Sequence, residues 1–279
     1  MERYGFNISL RNTNEEIRTL AEKYLASGEY EAIEVTYYEN MMDTDTAEYN
    51  KTVQELVEKF HPWVSVHISD FNLCEENKVL REAIFSEIRN CFDYTKELGG
   101  RHVVIHSGFS RFGRHVPPSY FFGTHPTQNA VNDRMLRLSA DLMRRACRLA
   151  KEYGITVYTE NLLDSQLIQD IETLNQYLEL VGCDNLKIVF DVGHSFVTGH
   201  DIPNEVQIAG ANLQHLHLHD NDGTGDWHAC IGDGKIDYAS FVKALQEIHY
   251  PGIYMLELDQ LSDASLRRCR DILSRMQRR

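Results

Sequence analysis

Hydrophobic and polar positions along the chain switch repeatedly between two periods. Short runs rich in β-branched and aromatic residues have the length and make-up of strands: Tyr4–Leu10, Ala32–Tyr37, Trp63–Ile68, His102–His106, Thr156–Glu160, Lys187–Asp191, Gln214–His219 and Ile253–Leu258. Between them, apolar residues recurring every three to four positions predict helices over Glu15–Ala26, Ala47–Phe60, Lys78–Leu98, Asn129–Tyr153, Ile168–Val181, Tyr238–Ile248 and Ser262–Arg275, with a short one near Pro203–Ala209. Thr13-Asn14-Glu15-Glu16 and Asp237 place side-chain acceptors where the free amides of a helix begin, and Gly28, Gly99-Gly100, Gly154 and Gly182 stand where helices should stop. Strands alternating with helices build parallel sheets. Eight such units in 279 residues read as an α/β fold, one closed (β/α)8 barrel of the TIM type, spanning 1–279 as a single domain.

One segment breaks the rhythm. Ser107 to Gln128, after the fourth strand, is too long for an ordinary connection and carries Arg111, Arg114, His115, Tyr120, Phe121, Phe122 and His125. Two readings stand side by side: an active-site loop covering an anionic or sugar-like ligand, and a surface excursion with its own aromatic cluster.

Composition narrows the class. A formal net charge of −14 argues against a nucleic-acid partner. The chain shows no basic start followed by an apolar run and a cleavage site, and charges interrupt every stretch that could span a membrane, so a soluble, cytoplasmic protein is expected. The six cysteines are scattered without a Cys-x-x-Cys pair, which suits reduced, packed thiols. A homo-oligomer associating through outer helices is compatible with such a barrel.

Barrel active sites form at the carboxyl ends of the strands. There the sequence places His67, His106, Glu160, Asp191, His217 and Glu257. Side chains alternate across a strand, so parity tests whether these residues share the lumen. Leu216 and Leu218 alternate with the histidines of the seventh strand, Leu256 and Leu258 flank Glu257, Val66 and Ile68 flank His67, and Phe190 precedes Asp191. Carboxylates facing a barrel interior need a compensating cation. Two glutamates, an aspartate and an imidazole suit Mn²⁺, Co²⁺, Mg²⁺ or Zn²⁺. His194, Asp226 and His228 lie close by in sequence, the last two just before the turn Ile231-Gly232-Asp233-Gly234. His215 and His219 share parity with His217 as core neighbours, and His61, His102, His200 and His249 read as surface or packing residues. Arg101, Arg111, Arg114 and Lys235 are the basic residues expected near the active face.

Tyr158-Thr159-Glu160-Asn161, Asp191-Val192-Gly193-His194, His217-Leu218-His219-Asp220-Asn221 and Asp226-Trp227-His228 resemble motifs of the xylose isomerase-like TIM-barrel superfamily, over nearly the whole chain. That superfamily contains sugar and sugar-phosphate isomerases and epimerases, dehydratases of related logic, and endonuclease IV-type nucleases. Similarity to the ketose 3-epimerases implies one divalent ion on Glu160, Asp191, His217 and Glu257. It further implies proton transfer by Glu160 and Glu257 through a metal-stabilised enediolate, and substrate contact by His194, with His67, His106 and Arg111 as further substrate-binding candidates. Those epimerases carry an arginine shortly after the metal-binding histidine, where this chain has Asn221-Asp222-Gly223. Similarity to endonuclease IV implies up to three zinc ions, with His67, His106, His194, Asp226 and His228 as additional ligands. Against a nuclease stand the charge and Asp70-Phe71 in place of a Tyr-Leu wedge. The expectation is an isomerase or epimerase of a small carbohydrate, with a multi-zinc phosphodiesterase or a dehydratase as the alternatives.

Overall fold

The computed structural model describes residues 3–38, 46–68, 71–109, 128–163 and 167–278, with the backbone alone for 128–132. Eight parallel strands close into a barrel in chain order. They are β1 (Arg3–Ile8), β2 (Ala32–Tyr37), β3 (Trp63–Ile68), β4 (His102–Val104), β5 (Thr156–Glu160), β6 (Leu186–Asp191), β7 (Leu213–Leu218) and β8 (Ile253–Leu256). Closure is made by β1 against β8, from Arg3 opposite Ile253 to Phe6 opposite Leu256. Outside run α1 (Asn14–Tyr24), α2 (Ala47–Phe60), α3 (Lys78–Glu97), α4 (Gln128–Tyr153), α5 (Ile171–Val181), α6 (Val192–Val197), α7 (Ile202–Ala209), α8 (Tyr238–Glu247) and α9 (Asp263–Gln277).

Strand parity divides the interior in two. Outward-pointing Phe6, Ile33, Val66, Phe190, Leu216 and Leu256 are fully buried between sheet and helices. Inward-pointing Ala32, Trp63, Ile253 and Met255, with Val104, Tyr158 and Val189, fill the lower lumen. His102 joins this plug, its ring stacked 4.3 Å from Trp63 and 5.6 Å from Tyr158, so of the surface and packing readings it takes the second. The amino end of the lumen is thus filled, and the carboxylates and most of the histidines lie above it.

The expected caps form. Thr13 and Glu16 make a capping box on α1, Asp237 accepts the amides of Ala239 and Ser240, and Gly182 ends α5 in the left-handed region. Helix α5 begins at Ile171 rather than Ile168, because Asp170 accepts the Thr173 amide at 2.7 Å. Strand β4 stops at Val104, where its ladder with β3 ends, so His106 sits just beyond the strand. Helix α6 was not expected; it starts directly from β6, with Asp191 as its cap.

Of the long loop, Ser107, Gly108 and Phe109 are described. Ser139 Oγ donates to the Ser107 carbonyl at 2.5 Å and the Phe109 amide to Asn72 Oδ1 at 3.1 Å. Residues 110–127, including Arg111, Arg114, His115, Tyr120, Phe121, Phe122 and His125, lie outside the described residues, as does Asp70. All six cysteines are free thiols, four of them buried. Among the described residues no helix is long and apolar enough to cross a membrane.

Candidate active site at the carboxyl ends of the strands

Ladder pairing sets Asp191 of β6 opposite His217 of β7, after a register shift at Ile188/Val189. Glu160 ends β5, and Glu257 follows β8 with its amide bonded to the Leu218 carbonyl at 3.1 Å. One donor atom each from Glu160, Asp191, His217 and Glu257 lies within 4.8 Å of the others. His217 Nδ1 is 3.0 Å from Glu257 Oε2 and 3.3 Å from Glu160 Oε1. Two side-chain amides clamp the strand ends beside these acids. Asn161 donates to the Asp191 carbonyl and accepts its amide, both at 2.9 Å, and Asn7 accepts the Leu258 amide at 3.1 Å. Such clamps replace ladder bonds where parallel strands run out.

Burial alone would push the Glu160 carboxyl up, but the His217 imidazolium and the close approach of His106 and His194 hold it well below the usual range. Glu257 follows the same logic, with burial outweighed by His217. Burial lowers the affinity of His217 for its second proton, yet Glu257, Glu34 and Glu160 together raise it well above that of a free imidazole. Three carboxylates and their histidines therefore form one coupled charge system.

A second group stands on α6 and the loop after β7. Asp226 Oδ2 lies 2.9 Å from His228 Nε2 and 3.3 Å from His194 Nε2. His228 occupies the left-handed region at φ 43°, unusual outside glycine, with its Nδ1 3.0 Å from the Glu257 carbonyl. The loop is fixed from beneath by buried Asp220, which accepts the amides of Asn221, Gly232 and Ile236 and pairs with Ala229 through the backbone. His219 donates Nε2 to both Asp191 oxygens at 3.1 Å. It can do so because residue 193 is glycine: a Cβ there would fall 1.9 Å from His219 Cε1.

A cavity of about 400 Å³ opens above both groups, a size suited to a small molecule. Of the residues singled out by sequence, His67, His106, Glu160, His194, Asp226, His228 and Glu257 line it, while Asp191 and His217 lie fully buried beneath. His106 Nε2 and His67 Nε2 approach Glu160 Oε2 at 3.3 and 3.8 Å. Arg101 belongs to the opposite end of the barrel, where its carbonyl meets the Thr156 amide at the start of β5, so it is not near the active face. Arg11, unmarked in the sequence, supplies a cation on the cavity wall and pairs with Asp259. Glu34, also unmarked, is buried on β2 against His215 and His217. Its flanks, Ile33 and Val35, carry the same parity signal that exposed His67.

The family model of the xylose isomerase-like TIM barrel matches residues 22–272, and the chain belongs to that family. An uncharacterized protein of Methanocaldococcus jannaschii is 28% identical over 220 residues, 77% of this chain and 70% of that one. Fructoselysine 3-epimerase of Escherichia coli O157:H7 is 23% identical over 190 residues, 67% of this chain and 63% of the enzyme. Among solved structures, a D-tagatose 3-epimerase-like protein superposes with a TM-score of 0.76 at 24% identity, covering 98% of this chain and 96% of the other.

Proposed function

We propose that this chain is a divalent-metal-dependent isomerase or epimerase of a small sugar, sugar phosphate or related polyol-ketone. The observation that carries the reading is the convergence of Glu160, Asp191, Glu257 and His217 Nδ1 at the foot of a small-molecule cavity. Three carboxylates and one imidazole are a donor set for Mn²⁺, Co²⁺, Mg²⁺ or Zn²⁺. An ion held there would polarise a substrate carbonyl and neutralise charge developing on its oxygen. The protein's own residues do the rest. Glu257, one-fifth exposed, and Glu160, almost fully buried, both line the cavity and are the pair to take a proton from the carbon beside the carbonyl and return one to the opposite face or the neighbouring carbon. His194, His67 and His106 would orient hydroxyl groups, and Arg111 remains the candidate for an anionic group. The 3-epimerases among its relatives support this reading. Incubating the metal-loaded protein with a panel of ketoses and ketose phosphates in deuterated water should place deuterium beside the carbonyl of a substrate. Glu160→Gln or Glu257→Gln should abolish that exchange, and no exchange into any of the panel would refute the proposal.

A second reading, a multi-zinc phosphodiesterase, is favoured by one observation: His194, Asp226 and His228 meet beside the first group, with His67 and His106 on Glu160. Metal content decides between them. One ion per chain selects the isomerase, whereas two or three zinc ions with cleavage of abasic-site DNA select the phosphodiesterase.

A further inference from the structure

Glu34 takes no part in the chemistry proposed above and is not on the cavity wall. Its side chain is 2% exposed, at mid-height in the barrel. It meets His217 at the nitrogen opposite the one that faces Glu160 and Glu257: Glu34 Oε1 lies 2.8 Å from Nε2, a short but bent ion-pair contact. The other oxygen accepts the Ser65 hydroxyl at 2.7 Å and meets His215 Nε2 at 3.0 Å. Ser65 is the cross-strand partner of Glu34, and the His215 ring is stacked 5.2 Å from Tyr158, so the carboxylate is itself held from two directions.

A neutral imidazole has one N–H and one lone pair, and whichever nitrogen keeps the proton cannot bind a cation. We infer that Glu34 is a positioning residue of the metal site, holding the His217 ring by Nε2 so that Nδ1, facing Glu160 and Glu257, is the nitrogen that gives up its proton to an ion. The inference rests on the metal-site reading above. A carboxylate behind a ligating histidine raises the basicity of the ligand and fixes its ring, and loss of such a partner typically weakens metal binding about 10- to 100-fold. The rival reading is a polar plug that only stabilises the lower barrel. In that case substitution lowers the thermal midpoint of the metal-free protein and leaves metal affinity alone.

The test is titration of the full-length chain with Mn²⁺, followed by the absorption spectrum of the Co²⁺-loaded form, for wild type and Glu34→Gln. Weaker Mn²⁺ binding by about 10- to 100-fold with a shifted Co²⁺ spectrum is the expected result. Wild-type affinity and spectrum in Glu34→Gln overturn the inference, whatever happens to its metal-free midpoint. Should Glu34→Gln fail to fold, Ser65→Ala removes one of the two contacts that hold Glu34 Oε2; a few-fold weaker Mn²⁺ affinity with a shifted spectrum supports the inference, and no change overturns it. The wild-type titration comes first, because a wild type that binds neither ion removes the metal-site reading itself and this inference with it.

Discussion

The two groups of charged residues at the barrel mouth use the same side-chain types on different supports. Glu160, Asp191 and His217 stand on strands whose positions are set by the ladder, with Asp191 and His217 fully buried. Asp226 and His228 stand on a loop, one of them in a left-handed conformation, and depend on Asp220 to hold that loop down. A strand-borne group inherits its geometry from the whole barrel, while a loop-borne group has it from a few local hydrogen bonds. The first should therefore be the rigid centre of the chemistry and the second an adjustable wall or partner.

Paired substitutions give the largest contrast. Glu160→Gln should lower turnover of the identified sugar by about 10²- to 10⁴-fold, the usual range for a removed acid–base group. His228→Ala should leave turnover within about tenfold of wild type under the same assignment. Equal collapse of both variants would erase the distinction and favour a site in which all the groups ligate metal together.

Next in size is the support of the loop. Asp220→Ala leaves three backbone amides without their acceptor, at about 1–3 kcal/mol for each amide left unsatisfied. Hydrogen exchange should speed up over residues 221–236 and stay slow in β5 and β6. Uniform exchange through both regions would mean that the loop and strands are one cooperative unit.

The strand-borne group was the more legible one in the sequence, for a physical reason. Alternation in Leu216-His217-Leu218-His219 is itself the geometry that points the histidines inward. Glu34 carried the same signal between Ile33 and Val35, but it lies one layer below the strand ends where chemistry is sought. Neither helix α6 nor the register shift between β6 and β7 could be read from the pattern. Six residues are too few to display a helical period, and a shift is a property of two strands together. Asp220 was hidden because its role is to accept amides 12 and 16 residues further on.

Glycine positions offer a smaller, more local comparison. Gly193→Ala drives a Cβ into the His219 ring and should cost about 1–3 kcal/mol, read as a lower thermal midpoint. Gly225→Ala meets first the ring of exposed Trp227, at 3.1 Å, and should stay within about 0.5 kcal/mol of wild type. A tolerated Gly193→Ala would show that His219 can leave Asp191 without loss.

Proton release separates the groups most finely. Burial lowers the proton affinity of the His194, His217 and His228 rings, but the surrounding carboxylates reverse this, raising His194 and His217 well above the ordinary value and His228 to about 10. The carboxylates therefore favour the protonated form of these rings in the metal-free protein. An ion must displace that proton, so affinity should rise with pH, about tenfold per unit for each proton displaced. The strand-borne group contains one imidazole, His217, and filling it alone should release about one proton per chain. Filling the loop-borne group as well brings in His194 and His228, and the count should approach about three. Calorimetric titration at pH 7 in buffers of different ionisation enthalpy measures this number directly. A release near zero would mean that the ion binds elsewhere, and a release near one would confine it to the strands.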